Sequence, residues 1–410
     1  MLTKGWDTVS IIKQEKINAS LKASWEKMNP NFCYEFDGDR RYISGVFDTW
    51  QIINGGGGKL LRMELPIKCG ELTLNGPSYD LKGCKAVIEL TLSMIPKPGK
   101  TFLKTAYAHL AKDPSQITDE EGWILPITFI DAEGKLGVLG DVVLDGLCCY
   151  LIDHPEQMVL FFAEIDFIKQ GCPEWLLPRQ TSYSYLDTGY LCILAVCDDR
   201  DISNLPLDVD VSGLSLEGDS YFIIAINKAL SHLIVPCLCS IYKNTGPSDF
   251  SVSDNEFFNN RDLEMHDIKS GLLYYTPVVY RHQNIGHVDG STLTISYKGF
   301  CDMYLDITMH WWGNVKLNVS LKDGRIISFQ NAGQYFDHDN DIPPYLKWLN
   351  LLVSIIVQAV VDAISDDLIK KIADHSASIN ATEINTIEWF GANETLTAVY
   401  LNESLVLQYS

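Results

Sequence analysis

Between Pro343 and Ile372 the chain carries its strongest periodicity. Leu346, Leu349, Val353, Ile356, Val360, Ile364, Leu368 and Ile372 recur every three or four residues. Such a stripe specifies a long helix with one greasy face, and that face must lie on another apolar surface. A bilayer is the first surface to test. Leu346 to Ile364 is long enough to span one, but Lys347, Asn350, Gln358 and Asp362 interrupt it. An Asp in the middle of a span is costly in lipid, so the segment reads as a buried helix and no transmembrane span is expected.

The rest of the chain says what the helix lies on. Strand-like runs cover Tyr42 to Ile53, Lys59 to Leu74, Lys85 to Ile95, Trp123 to Ile130, Met158 to Phe167 and Tyr190 to Val196. A helical stretch is expected over Trp6 to Trp25, and another from Asp141 to Asp153 ended by His154-Pro155. An acidic stretch with turn residues, Asp198 to Asp219, reads as a boundary between units 1–205 and 206–410. Beyond it the pattern repeats. A helix is expected from Phe222 to Leu233, stopped by Pro236, and a long loop over Gly246 to Asp262. Strands follow at Leu272 to Tyr280, Ser291 to Lys298, Cys301 to Trp311, Val315 to Leu321 and Arg325 to Phe329. The long helix comes next, then strands near Ile384 to Trp389, Leu396 to Tyr400 and Leu405 to Gln408. Each half therefore reads helix, strands, long helix, strands. The expected class is α+β: two domains, each with a long helix or two on a curved antiparallel sheet. A sheet wrapped round a helix leaves a seam, which is either filled by side chains or open to an elongated apolar ligand.

Charge excludes one class of partner. Lys and Arg total 32 against 53 Asp and Glu, a net charge of −21. A chain this acidic without a basic patch repels nucleic acid. The N-terminus lacks a long apolar core followed by a cleavage site, so no signal peptide is read and the cytoplasm is the expected site of synthesis. The 11 cysteines are odd in number and form no C-x-x-C, which suits small buried hydrophobes in a reducing compartment.

Motifs for chemistry fail one by one. Gly55–Lys59 lacks the Ser or Thr that a phosphate loop needs, because Leu60 follows the lysine. Asp337, Asp339 and Asp341 alternate as calcium ligands do, yet Ile342 and Trp348 stand where an EF-hand loop needs Gly and Glu. A solvated acidic loop before the helix explains the three carboxylates as well. No H-E-x-x-H and no Gly-x-Ser-x-Gly occurs, so no catalytic residue is assigned. Trp6, Trp25, Phe47 and Trp50 have two readings, a lipid slot or core packing between the first helix and its sheet. Val353, Ile356 and Val360 are the matching seam candidates in the second half. Trp311 and Trp312 are adjacent in a strand and face opposite ways, so Trp312 is a candidate contact for a membrane or a partner.

One set of segments carries a resemblance. Gly5-Trp6-Asp7-Thr8-Val9 with Asn18, Gly45-Val46-Phe47-Asp48-Thr49-Trp50-Gln51, Leu65-Pro66-Ile67-Lys68-Cys69-Gly70, Phe161-Phe162-Ala163-Glu164-Ile165 and Glu174-Trp175-Leu176-Leu177-Pro178 belong to it. Tyr183-Ser184-Tyr185 and Cys192-Ile193-Leu194-Ala195-Val196 complete it. The chain thereby resembles the forty-seven-kilodalton and OrfX group of proteins from clostridial neurotoxin gene clusters, within the TULIP (tubular lipid-binding) superfamily. The resemblance implies a two-domain TULIP fold and no catalysis. It implies an accessory role with bound lipid or with OrfX-type partners and other toxin-complex components, and release with that complex. The alternative is a carbohydrate-active enzyme using a carboxylate pair, which needs two carboxyls facing across a sugar-sized gap.

Overall fold

Three large, mainly antiparallel sheets and one separate two-stranded hairpin organise the described residues. The computed structural model describes residues 3–36, 41–270, 272–303, 307–340 and 349–410. A six-stranded sheet lies between the two lobes. Its order is Gln180–Leu186, Tyr190–Val196, Thr8–Lys13, Ser220–Ala225, Ser404–Tyr409 and Leu396–Leu401. Three of these strands come from each side of the boundary read at 205/206, and Thr8 pairs with Ile224 across it.

Side-chain alternation divides this sheet's two faces between three cores. Leu191 and Ile193 point into the N-terminal core, and Phe222 and Ile224 into the C-terminal core. Their neighbours Cys192, Leu194, Tyr221 and Ile223 point the other way, under Leu205, Val209 and Leu214. The acidic stretch 198–219 is thus a cover as well as a connection. Leu205, Leu207, Val209 and Val211 alternate with Pro206, Asp208 and Asp210 there and lay their apolar side on the sheet.

The N-terminal lobe is an eleven-stranded sheet, with two helices against it. These are α1 (Gln14–Ser24) and α2 (Leu139–Asp153). Its far strand, Ile387–Trp389, comes from the other end of the chain and pairs with Phe161–Asp166. The C-terminal lobe is a seven-stranded sheet with α3 (Ile226–Ala229), α4 (Val235–Cys239), α5 (Leu349–Val361) and α6 (Leu368–Ala377). A π-helical segment, Leu230–Ile234, joins α3 to α4, and another, Asp362–Asp367, joins α5 to α6. The long helical stripe is therefore continuous but wider in the middle. The part expected before Leu349 lies outside the described residues.

Four local expectations need correction. The helix expected over Trp6 to Trp25 begins only at Gln14, because Thr8–Lys13 is a central strand. The helix expected from Phe222 likewise begins at Ile226, after the strand Ser220–Ala225. Both strands are buried on both faces, and the adjacent apolar residues Ile11-Ile12 and Tyr221–Ala225 break the two-residue period. The expected loop Gly246 to Asp262 contains a hairpin, Phe250–Ser253 with Glu256–Asn259. Asp337 and Asp339 lie within the strand Ile326–Asn340 and not in a loop.

Candidate functional site

Both lobes begin the same way, with a central strand that runs straight into a helix. In the N-terminal lobe that helix is α1, whose sequence QEKINASLKAS offers only Ile17 and Leu21 as buried side chains. Two anchors cannot fill the space between an eleven-residue helix and a sheet. A cavity of about 560 Å3 is left under α1. Its floor is Ile12, Ile17, Leu21, Leu160 and Phe162, and its wall includes Met28, Val159 and Gly391.

Three aromatic rings stand at its side. Phe102 lies 6.1 Å from Phe161 and 6.1 Å from Phe390, and Phe161 lies 5.8 Å from Phe390. Strand pairing between Phe161–Asp166 and Ile387–Trp389 brings the last of these rings in from the end of the chain. Trp389 is fixed beside it, its indole N–H donating to Ser10 Oγ at 3.2 Å. Two exposed cations border the opening. Lys97 Nζ sits 4.6 Å from the centre of the Phe102 ring, and Lys27 lies near the end of α1. Among the described residues the lining has no carboxylate and no histidine. As a chemical environment it is an apolar slot with positive charge at its rim, suited to holding an amphiphile and not to acid–base work.

A second, polar space of about 240 Å3 lies on the other side of α1 and shares Ile12, Ser20 and Gly391 with the first. Lys16, Asp219 and Glu394 line it, and Lys16 Nζ lies 2.6 Å from Asp219. Burial, with Asp219 and Glu388 nearby, pushes the Glu394 carboxyl above its ordinary value. Below the Gly-rich turn, Lys59 donates to Ser182 Oγ at 2.5 Å and covers the Tyr183 ring at 4.2 Å. Its desolvation lowers the ammonium to about 8. Gly55 to Gly58 all have positive φ there, and Gly58 accepts from the Tyr185 N–H, so the turn is docked on the central sheet.

The aromatic set read from the sequence falls in two places. Trp25, Phe47 and Trp50 do meet, with ring centres 6.3 and 5.2 Å apart, but they form core beside the cavity and are absent from its lining. Trp6 is on the far face of the central sheet, where its indole donates to Pro206 O at 2.8 Å. Its neighbour Asp7 is the joint of the molecule. The buried Asp7 carboxylate meets Arg200 at 2.7 Å and Lys228 at 3.2 Å, and accepts the Cys197 N–H at 2.8 Å. Val353, Ile356 and Val360 are all buried in the C-terminal core.

Trp312 is half-buried on the outer face of its sheet, opposite Lys298 and Asp337, while Trp311 is fully buried. Asp337 accepts from Tyr335 Oη at 2.9 Å. Asp341 lies outside the described residues, and among those described no cluster of three His, Cys, Asp or Glu could hold a metal. All eleven cysteines are free thiols, five of them buried. No helix among the described residues is long and apolar enough to cross a membrane. The cavity's own Phe102, Phe161 and Phe390 were missed in the sequence. Phe161 belonged to a quoted segment, but nothing local links it to Phe390.

Two helix-on-sheet lobes joined through a shared antiparallel sheet, with a slot under a helix, define the chain as a two-lobed α+β protein. The chain is similar to Protein P47 of Clostridium botulinum (strain Kyoto / Type A2), 28% identical over 73% of this chain and 72% of that protein. It is also similar to Protein OrfX3 of Paraclostridium bifermentans, 24% identical over 61% of this chain and 57% of that longer relative. Among solved structures, P47 from Clostridium botulinum A2 covers 100% of this chain and 98% of its own, with a TM-score of 0.73 at 23% identity. P47 of Clostridium botulinum E1 has a TM-score of 0.70 at 22% identity and covers 99% of each chain. Residues 3–387 match the OrfX-like family, described as Protein OrfX2/OrfX3/P47, and the chain belongs to that family.

Proposed function

We propose that this chain is a non-enzymatic lipid-binding accessory protein that works beside OrfX-type partners of a toxin gene cluster. The slot under α1 takes one acyl chain, with an anionic head between Lys27 and Lys97. The observation that carries this is the pairing of an apolar interior with two rim cations in a chain of net charge −21. Volume sets the ligand's size. A methylene occupies about the space of a liquid water molecule, roughly 30 Å3, so the cavity of about 560 Å3 has room for on the order of eighteen. That suits a single long chain and not the two chains of an ordinary phospholipid.

Native mass spectrometry of the purified chain mixed with hexadecanoate tests this. One adduct per chain is expected, lost in Val159→Trp, which fills the slot, and weakened on the order of tenfold in Lys97→Glu. Equal binding by wild type and Val159→Trp would place the ligand elsewhere. The lipid reading would then fail at this site.

A further inference from the structure

We propose that the hairpin Ile268–Ser270/Leu273–Tyr275, together with the outer face of α5, docks on the zwitterionic surface of a lipid bilayer. The inference does not rest on the slot under α1, because it uses different residues in the other lobe.

The two short strands pair only with each other and form a small sheet of their own. Leu272 is 96% exposed, Tyr274 is 65% exposed and Leu273 between them is also exposed. Consecutive residues of a strand point to opposite faces. A protein partner lying against one face would leave the other apolar face in water. A medium that closes around the tip covers both, and a bilayer interface is such a medium.

The adjoining helix extends the same surface. Ile268 and Ala359 line one groove, so the hairpin lies beside α5. Leu351 is 71% exposed and Ile355 is exposed four residues on, one above the other on the outer face of α5.

Charge selects the kind of surface. The chain carries 53 acidic residues, yet Ile268–Tyr275 and Leu349–Val361 contain none, and Lys269 is their one charged side chain. The hairpin tip and α5 bring no carboxylate of their own to be desolvated; Asp267 and Asp367 line the groove between them. The overall charge of −21 still opposes an anionic leaflet, so neutral phosphocholine headgroups are the complementary surface. Lys269 lies 5.8 Å from the Tyr274 ring, and both side chains have a polar end for the headgroup layer. At the root, Asp267 is engaged by Lys243 and Thr276, a polar collar. Three strand residues below that collar span about 10 Å, which matches the ~5–10 Å depth of interfacial insertion.

Co-sedimentation of the full chain with phosphatidylcholine vesicles is the test. The wild type is expected to sediment, and less so with vesicles enriched in phosphatidylserine. The double variant Leu272→Asp/Tyr274→Asp, and separately Leu351→Asp, should lose on the order of tenfold or more in partitioning. All three positions are exposed, so thermal midpoints should not move, and hexadecanoate loading should persist in each variant. Wild type that stays in the supernatant at every lipid concentration overturns the proposal. So does a double variant that sediments like wild type, or a patch whose mutation dissolves a dimer while vesicles bind neither form.

Discussion

The two seams of this molecule share a topology and differ in their contents. Thr8–Lys13 and Ser220–Ala225 lie side by side in the central sheet, antiparallel, and each leads into a helix at its C-terminal end. Under α1, with Ile17 and Leu21 buried, a cavity of about 560 Å3 stays open. Under the other helix Ile226, Ala229, Leu230, Leu233, Ile234, Val235, Cys237 and Leu238 are all buried. The space left beside Val288 and Phe329 there is about 10 Å3, barely enough for one water. Backbone geometry thus supplies a seam in both lobes, and side-chain volume decides which becomes a slot and which becomes core.

The comparison can be broken at the joint both halves share. Asp7→Ala removes the buried carboxylate shared by Arg200 and Lys228 and leaves both with the half-exposed Asp198 alone. Loss of one member of a buried pair costs about 3–5 kcal/mol; with Asp198 still in reach the low end, about 3 kcal/mol, is expected in urea unfolding. Truncation within each seam should give unequal losses. Leu230→Ala opens a hole in a filled core and should cost about 3 kcal/mol. Leu21→Ala only widens a space already present and should cost about 2 kcal/mol, the lost burial of three carbons without a new-cavity penalty. Equal losses in the two variants would mean that the seams do not differ as drawn.

The smallest effect is a pH dependence behind α1. Burial holds the folded-state Glu394 carboxyl above the unfolded value of 4.5, so the folded state binds the proton more tightly. Stability should therefore fall as pH rises from about 4.5 through the folded value. Glu394→Gln should flatten that decline in thermal midpoints taken across the range, by a few tenths of a kcal/mol. A steeper decline in the variant would have the wrong sign.

What could be read from the sequence follows from how local each signal is. The stripe Val353, Ile356, Val360 was legible because one helix face carries it, and all three are buried. The strands before α1 and α3 were not. Thr8–Lys13 is buried on both faces, and its Val9 and Ile12 stand three apart, so they read as the start of the stripe that Ile17 and Leu21 continue. The cover 198–219 was obscured by its acidic surface, although Leu205, Leu207, Val209 and Val211 alternate within it. Trp25, Phe47 and Trp50 do gather, as nearby elements of one lobe. The slot's wall was out of reach for a different reason. Phe102, Phe161 and Phe390 come together through the pairing of strands more than two hundred residues apart, and no periodicity within a segment encodes that.

Diffraction from crystals soaked with a terminally brominated long-chain fatty acid would test the unequal seams most directly. Anomalous bromine density is expected under α1, among Leu21, Leu160 and Phe162, and absent beside Val288 and Phe329. Bromine in the C-terminal seam, or in neither seam at saturating ligand, would contradict the account.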